Sequence, residues 1–120
     1  MVFHHIALGA RNVERVAEFY SSMFEIDEDR RHLDGDVVRS IWLRLGPVML
    51  MIERSTEPMR YVDGIGAGPF LLALSVSPEQ RTELESRLEA AGFPIESRSE
   101  FTSYTRDPEK NRVAFSCYSF

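Results

Sequence analysis

Apolar and polar positions along this chain follow a period that changes from two to nearly four and back again, and the change happens twice. Phe3 to Leu8 is a short apolar run that stops at Gly9. Beyond it, Val13, Val16, Ala17, Tyr20, Met23 and Phe24 recur at spacings of three and four, which gathers them on one face of a helix. Asn12 stands where an N-cap is needed, and Glu14 lies in the first turn, where the helix dipole favours an acid. After the acidic stretch Asp27-Glu28-Asp29 the period drops to two: Ile41, Leu43 and Leu45 alternate with Ser40, Trp42 and Arg44. A second apolar run, Val48 to Glu53, follows Gly46-Pro47, so this region is predicted as two antiparallel strands.

The second half repeats the order. Phe70 to Val76 reads as a buried strand, and Ser77-Pro78-Glu79-Gln80 supplies a cap, a proline at the first helical position and a glutamine that can reach back. Leu84, Leu88 and Ala91 mark the buried stripe of that helix, which Gly92 and Pro94 end. Ile95 to Glu100, Phe101 to Arg106 and Arg112 to Tyr118 are predicted as three strands, the last two joined by a turn at Asp107 to Asn111. Each half is therefore strand, helix, then two or three strands, and Ile6-Ala7-Leu8 matches Leu72-Ala73-Leu74 at the same place before each helix. The expected organisation is one α+β domain over residues 1–120, with a first module at about 1–56, a linker at about 57–68 and a second module at about 69–120.

Composition narrows the function. A chain of 120 residues, 43% hydrophobic, buries enough surface to fold without a metal or a disulfide. Cys117 is its one cysteine, and the first residues lack the basic start and long apolar run of a secretory signal, so a cytoplasmic location is expected. No apolar stretch approaches the ~20 residues that cross a bilayer, and a net charge of −5 repels a phosphate backbone. Neither a membrane nor a nucleic acid is expected as partner. The acidic runs Glu25 to Asp29 and Glu79 to Glu89 read as solvated faces.

His5-Ile6-Ala7-Leu8, Asn12-Val13 and Phe19-Tyr20, together with Asp107-Pro108 and Asn111, resemble the vicinal oxygen chelate superfamily, which holds glyoxalases, bleomycin-resistance proteins and extradiol dioxygenases. The resemblance covers nearly the whole chain. It departs from the pattern at Lys110, where the closing Asp-Pro-x-Gly-Asn turn has glycine. The fold it implies is two βαβββ modules, each a curled mixed sheet with a helix on its outer face, and it implies a homodimer. Phe101, Phe115, Tyr118 and Phe120 supply apolar, aromatic surface near the chain end for such pairing.

In metal-dependent members one residue from each of four strands holds the ion. Those positions fall here on His5, Met51, Leu71 and Ala114. A thioether, an isobutyl group and a methyl cannot replace the N, O or S donors that a divalent ion needs, so no metal and no cofactor is expected, with His5 and Glu53 as the residual donor pair. If Met51 and Ala114 face the cavity as the resemblance implies, Met49, Glu53, Ser116 and Tyr118 share those faces. Ser40, Trp42 and Arg44 turn inward because Ile41, Leu43 and Leu45 cover the helix. The expected chamber is Trp42, Met49, Met51, Leu71, Ala73 and Ala114, with His5, Ser40, Arg44, Glu53, Ser116 and Tyr118 as polar handles. A core packing role for the methionines stands beside this reading. His4 is expected under the helices, His32 in solvent and Cys117 buried under a helix.

Three functions fit the chain. The first is a metal-independent binder of a small molecule, planar or aromatic, of the sequestering or resistance type. The second is a lyase, isomerase or dioxygenase relative in which His5 acts with Glu53 or Tyr118 as proton-transfer groups. The third is a partner-binding module whose cavity is filled by its own side chains.

Overall fold

The computed structural model describes residues 1–120. The chain divides into two compact units, Met1–Met59 and Arg60–Phe120.

In the first unit, strand β1 (His5–Ala10) leads into helix α1 (Val13–Phe24), and β2 (Glu28–Asp34), β3 (Val37–Leu45) and β4 (Val48–Arg54) follow. The sheet order is β1-β4-β3-β2. The β1–β4 pair is parallel and the other pairs are antiparallel. Asn12 caps α1 by accepting the Arg15 amide at 3.1 Å. The helix lays Val13, Val16, Ala17, Phe19 and Tyr20 into the core, where Ile41, Leu43, Leu50 and Ile52 are buried to 1% exposure or less.

The second unit repeats this topology. Strand β5 (Leu72–Ser75), helix α2 (Pro78–Ala90), β6 (Ser97–Arg98), β7 (Thr102–Arg106) and β8 (Arg112–Ser116) give the sheet order β5-β8-β7-β6, again with one parallel pair. Ser77 and Gln80 form the reciprocal capping box. Leu84 and Leu88 are buried, as are Val113 and Phe115. The turn from Asp107 to Asn111 closes around the Asp107 carboxylate, which accepts the amides of Glu109 (2.9 Å) and Asn111 (3.0 Å) and the Asn111 side chain (2.9 Å). Lys110 takes the left-handed conformation, φ 68°, that a glycine would adopt without strain.

Several expectations are corrected. β1 runs through Gly9 to Ala10, and β5 starts at Leu72, one residue after Leu71. β2 had no periodic signal, because five of its residues are charged and its hydrogen bonds to β3 hold it in place instead. Of Ile95 to Glu100 only Ser97 and Arg98 pair as a strand, and β8 ends at Ser116, before Tyr118. Ala91 is an exposed cap residue, not part of the buried stripe. His4 is exposed and Cys117 is half-buried, its thiol 3.4 Å from the Phe101 carbonyl. Phe115 is fully buried core and offers no surface for pairing.

Candidate functional site

In the first unit the ladder sets His5 beside Met49, Met49 beside Arg44, Met51 beside both Ala7 and Trp42, and Glu53 beside Ser40. These residues occupy the sheet face away from α1, since Ile41, Leu43, Leu50 and Ile52 fill the other. Trp42, Met49 and Met51 are half-buried there. The His5 ring lies 5.1 Å from Trp42, and its Nδ1 is 2.7 Å from Nδ1 of His4. Trp42 Nε1 is buried without a hydrogen-bond partner, an uncommon state for an indole N–H.

Two of the polar handles are already engaged. Arg44 donates to Asp29 at 2.6 Å, and hydrogen bonds from Arg30 and then Arg44 hold the Asp29 carboxyl below the usual carboxylate range. Ser40 is buried at 3% exposure and bonds Nδ1 of His32 at 3.2 Å, so His32 is a half-buried partner and not a solvated residue. Both contacts cross from β3 to β2, the strand that the hydropathy pattern missed.

The second unit holds a cavity of about 320 Å³ on the sheet face away from α2's buried side chains, lined in part by Leu71, Ala73, Ala114, Ser116 and Tyr118. Ser75, Thr102, Tyr104 and Phe120 also line it. Thr102 and Tyr104, absent from the expected wall, follow by alternation only after the structure has placed Ser103 and Thr105 in the core. Phe120 required the tertiary fold, since it lies past the last strand and stacks edge-on with Tyr118 at 5.7 Å. At the far end of this face Arg112 lies over the rings of Phe70 (4.5 Å) and Tyr104 (5.7 Å) and donates to the Asp63 carbonyl at 3.2 Å. A polar hollow of about 350 Å³ in the first unit, between Arg11, Asp36 and Arg54, surrounds the start of α1.

The chemistry of the donor set does not suit a divalent ion. Of the four positions at which the resemblance implies ligands, His5 on β1, Met51 on β4, Leu71 just before β5 and Ala114 on β8, one is an imidazole and the other three are not strong donors. No group of three His, Cys, Asp or Glu side chains is arranged to hold a metal. Glu53 does not compensate, because its neighbour on β1 is Gly9, not His5. Four residues along a strand separate His5 from Glu53 by about 13 Å, beyond a shared hydrogen bond.

No protein-family model and no curated protein matches this sequence. Solved structures do. A lactoylglutathione lyase from Agrobacterium tumefaciens is 21% identical, with 96% of this chain and 92% of that one covered and a TM-score of 0.72. The glyoxalase family protein from Enterococcus faecalis is 22% identical over 96% of both chains, TM-score 0.76. The fold is the vicinal oxygen chelate fold. A variant of the fosfomycin resistance protein FosX from Listeria monocytogenes, complexed with Mn(II) and 1S,2S-dihydroxypropylphosphonic acid, shares it at 14% identity, covering 99% of this chain and 94% of that one, TM-score 0.82. At such identities the vicinal oxygen chelate likeness is one of fold, and the activity has to be argued from this chain's own residues. No helix is long and apolar enough to cross a membrane.

Proposed function

We propose that this protein binds a small, planar or aromatic molecule without the divalent ion that metal-dependent members of the superfamily it resembles hold, in a sequestering or resistance-type role. The observation that carries the reading is the second unit's cavity. It has room for a compact ligand, its walls mix apolar groups with a few hydroxyls, and Ala114 lies in the wall at a position where the resemblance implies a metal ligand. Apolar walls with sparse polar groups are the usual make-up of small-molecule sites. Tyr118 and Phe120 offer ring faces for stacking. The first unit, taken by itself, carries a separate adaptable surface of Trp42 with its unmet N–H, Met49 and Met51.

The enzyme reading, His5 with Glu53 or Tyr118, loses one of its two pairs, since the register separates His5 from Glu53 by about 13 Å. A cavity filled by the chain's own side chains is disfavoured by the volume within the second unit. The working form in this proposal is a homodimer. Exposed Phe101, Tyr118 and Phe120 support it, their rings in edge contact at 5.4 and 5.7 Å; sedimentation showing a monomer at micromolar concentration refutes that part.

A thermal-shift and calorimetric screen of planar aromatic compounds, run with and without a chelator, tests the whole. The expected result is stabilisation by at least one compound class that the chelator leaves unchanged. One tightly held ion per chain by elemental analysis, a melting point that collapses in chelator, and no stabilising compound would overturn it.

A further inference from the structure

Thr102 and Ser116 are ladder partners on β7 and β8, and both line the second unit's cavity. The Thr102 hydroxyl donates to Ser116 Oγ at 2.8 Å, and the Tyr118 amide donates to the same oxygen at 3.2 Å. A serine hydroxyl has two lone pairs and one proton. Both bonds use Ser116 Oγ as acceptor, so its own proton serves in neither of them. Were the internal bond reversed, the Thr102 proton would be left over instead. Two hydroxyls joined by one bond always keep one proton to give away.

The rest of the wall sets the charge of what can receive it. No Lys, Arg, His, Asp or Glu lines the cavity. Arg112, two residues from Ala114 on the same face, has its guanidinium held between Phe70 and Tyr104 and bonded to the Asp63 carbonyl. A carboxylate or phosphonate entering this space would lose its hydration with no charged side chain in the wall to pair with, a far larger penalty than burying a neutral carbonyl that gains a hydrogen bond. The geometry points to a neutral ligand: an apolar or aromatic molecule bearing an uncharged acceptor such as a ketone or amide carbonyl, which the Thr102–Ser116 pair grips by its spare proton. This assignment rests on the small-molecule reading above and deepens it.

Isothermal titration of the full chain with three matched naphthalenes tests it: methyl naphthyl ketone, isopropylnaphthalene and naphthoate share ring size and differ in the group offered to the hydroxyl pair. The ketone is expected to bind about fivefold more tightly than the hydrocarbon, one net hydrogen bond, and naphthoate most weakly. The double variant Thr102→Val/Ser116→Ala should bring the ketone down to the hydrocarbon's affinity while leaving the hydrocarbon within about twofold, and Thr102→Ser, which restores the pair, should keep the preference. Naphthoate binding tightest would overturn the inference, by pointing to the buried, unpartnered Nε of Arg112 as the anchor. So would a ketone preference that survives the double variant, and so would equal binding of ketone and hydrocarbon to the unchanged protein, a comparison that holds even if the double variant fails to fold. If none of the three binds, the inference fails, and the broader compound screen above decides the small-molecule reading on its own.

Discussion

Replacing Arg106 by methionine keeps a long apolar stem and deletes the guanidinium that ties Tyr61 and Val62 to the second sheet. Arg106 is 6% exposed. Its Nε donates to both Glu96 oxygens at 3.0 and 3.1 Å, its Nη1 to the carbonyls of Val62 (2.7 Å) and Lys110 (3.1 Å), and its plane covers the Tyr61 ring at 4.2 Å. Charge-assisted hydrogen bonds contribute about 1.5–3 kcal/mol each when the partner stays buried. Glu96 is about a third exposed and Tyr61 is mostly exposed, so those partners rewet and the Glu96 contribution is discounted. The two carbonyl bonds then dominate, and the expected loss is about 3 kcal/mol, which for a chain of this size lowers the melting point by about 10 °C or more. Hydrogen exchange should show protection lost first at residues 60–64 and the 107–111 turn. Arg39→Met is the internal control: its contact with Asp34 is 3.8 Å between two exposed side chains, and its loss should cost under about 0.5 kcal/mol. If Arg106→Met melts with Arg39→Met, the clasp carries no weight and the reasoning is wrong.

Leu43→Ala should cost about 2–5 kcal/mol in stability, because Leu43 is 1% exposed opposite fully buried Leu50; Trp42→Ala, on the other face and half-buried, should cost less stability and instead weaken binding of an aromatic ligand by about ten- to a hundredfold. Denaturant melts and titrations of both variants check this, and the reverse pattern would show the two faces to be exchanged in role. Lys110→Gly removes about 1–2 kcal/mol of left-handed strain against about 0.5–1 kcal/mol of added chain entropy, so a gain of about 0.5–1 kcal/mol is expected; a loss in chemical denaturation would mean that the lysine side chain contributes more than its backbone strains. Hydrogen bonds from Arg31 to Glu28 and from Arg30 and Arg44 to Asp29 lower both carboxyl pKa values. The folded state therefore holds these protons less tightly than the unfolded chain, and the stabilisation is complete above about pH 4–5 and lost as pH falls through the folded-state values. Amide exchange followed from about pH 5 to 3 should show β2 opening before β3 and β4, whereas uniform protection across the sheet would contradict the role given to these pairs.

The helices and strand faces were legible in the chain because each is written locally. Asn12 and Ser77 cap where an N-terminus needs an acceptor. The alternation from Ser40 to Leu45 already separated the core from the other face, since successive side chains on a strand point opposite ways. What the chain did not reveal depends on which distant residues meet. β2 has no apolar face of its own, and it is held to β3 by the ladder and by the contacts of Asp29 and His32 with Arg44 and Ser40. Arg106 reaches carbonyls 44 residues back and 4 ahead, and the Thr102–Ser116 pair joins residues 14 apart. Hydrophobic periodicity reports only which side of an element is dry; the partners of polar groups are chosen by register and by the approach of one strand to another, and these are settled when the sheets assemble.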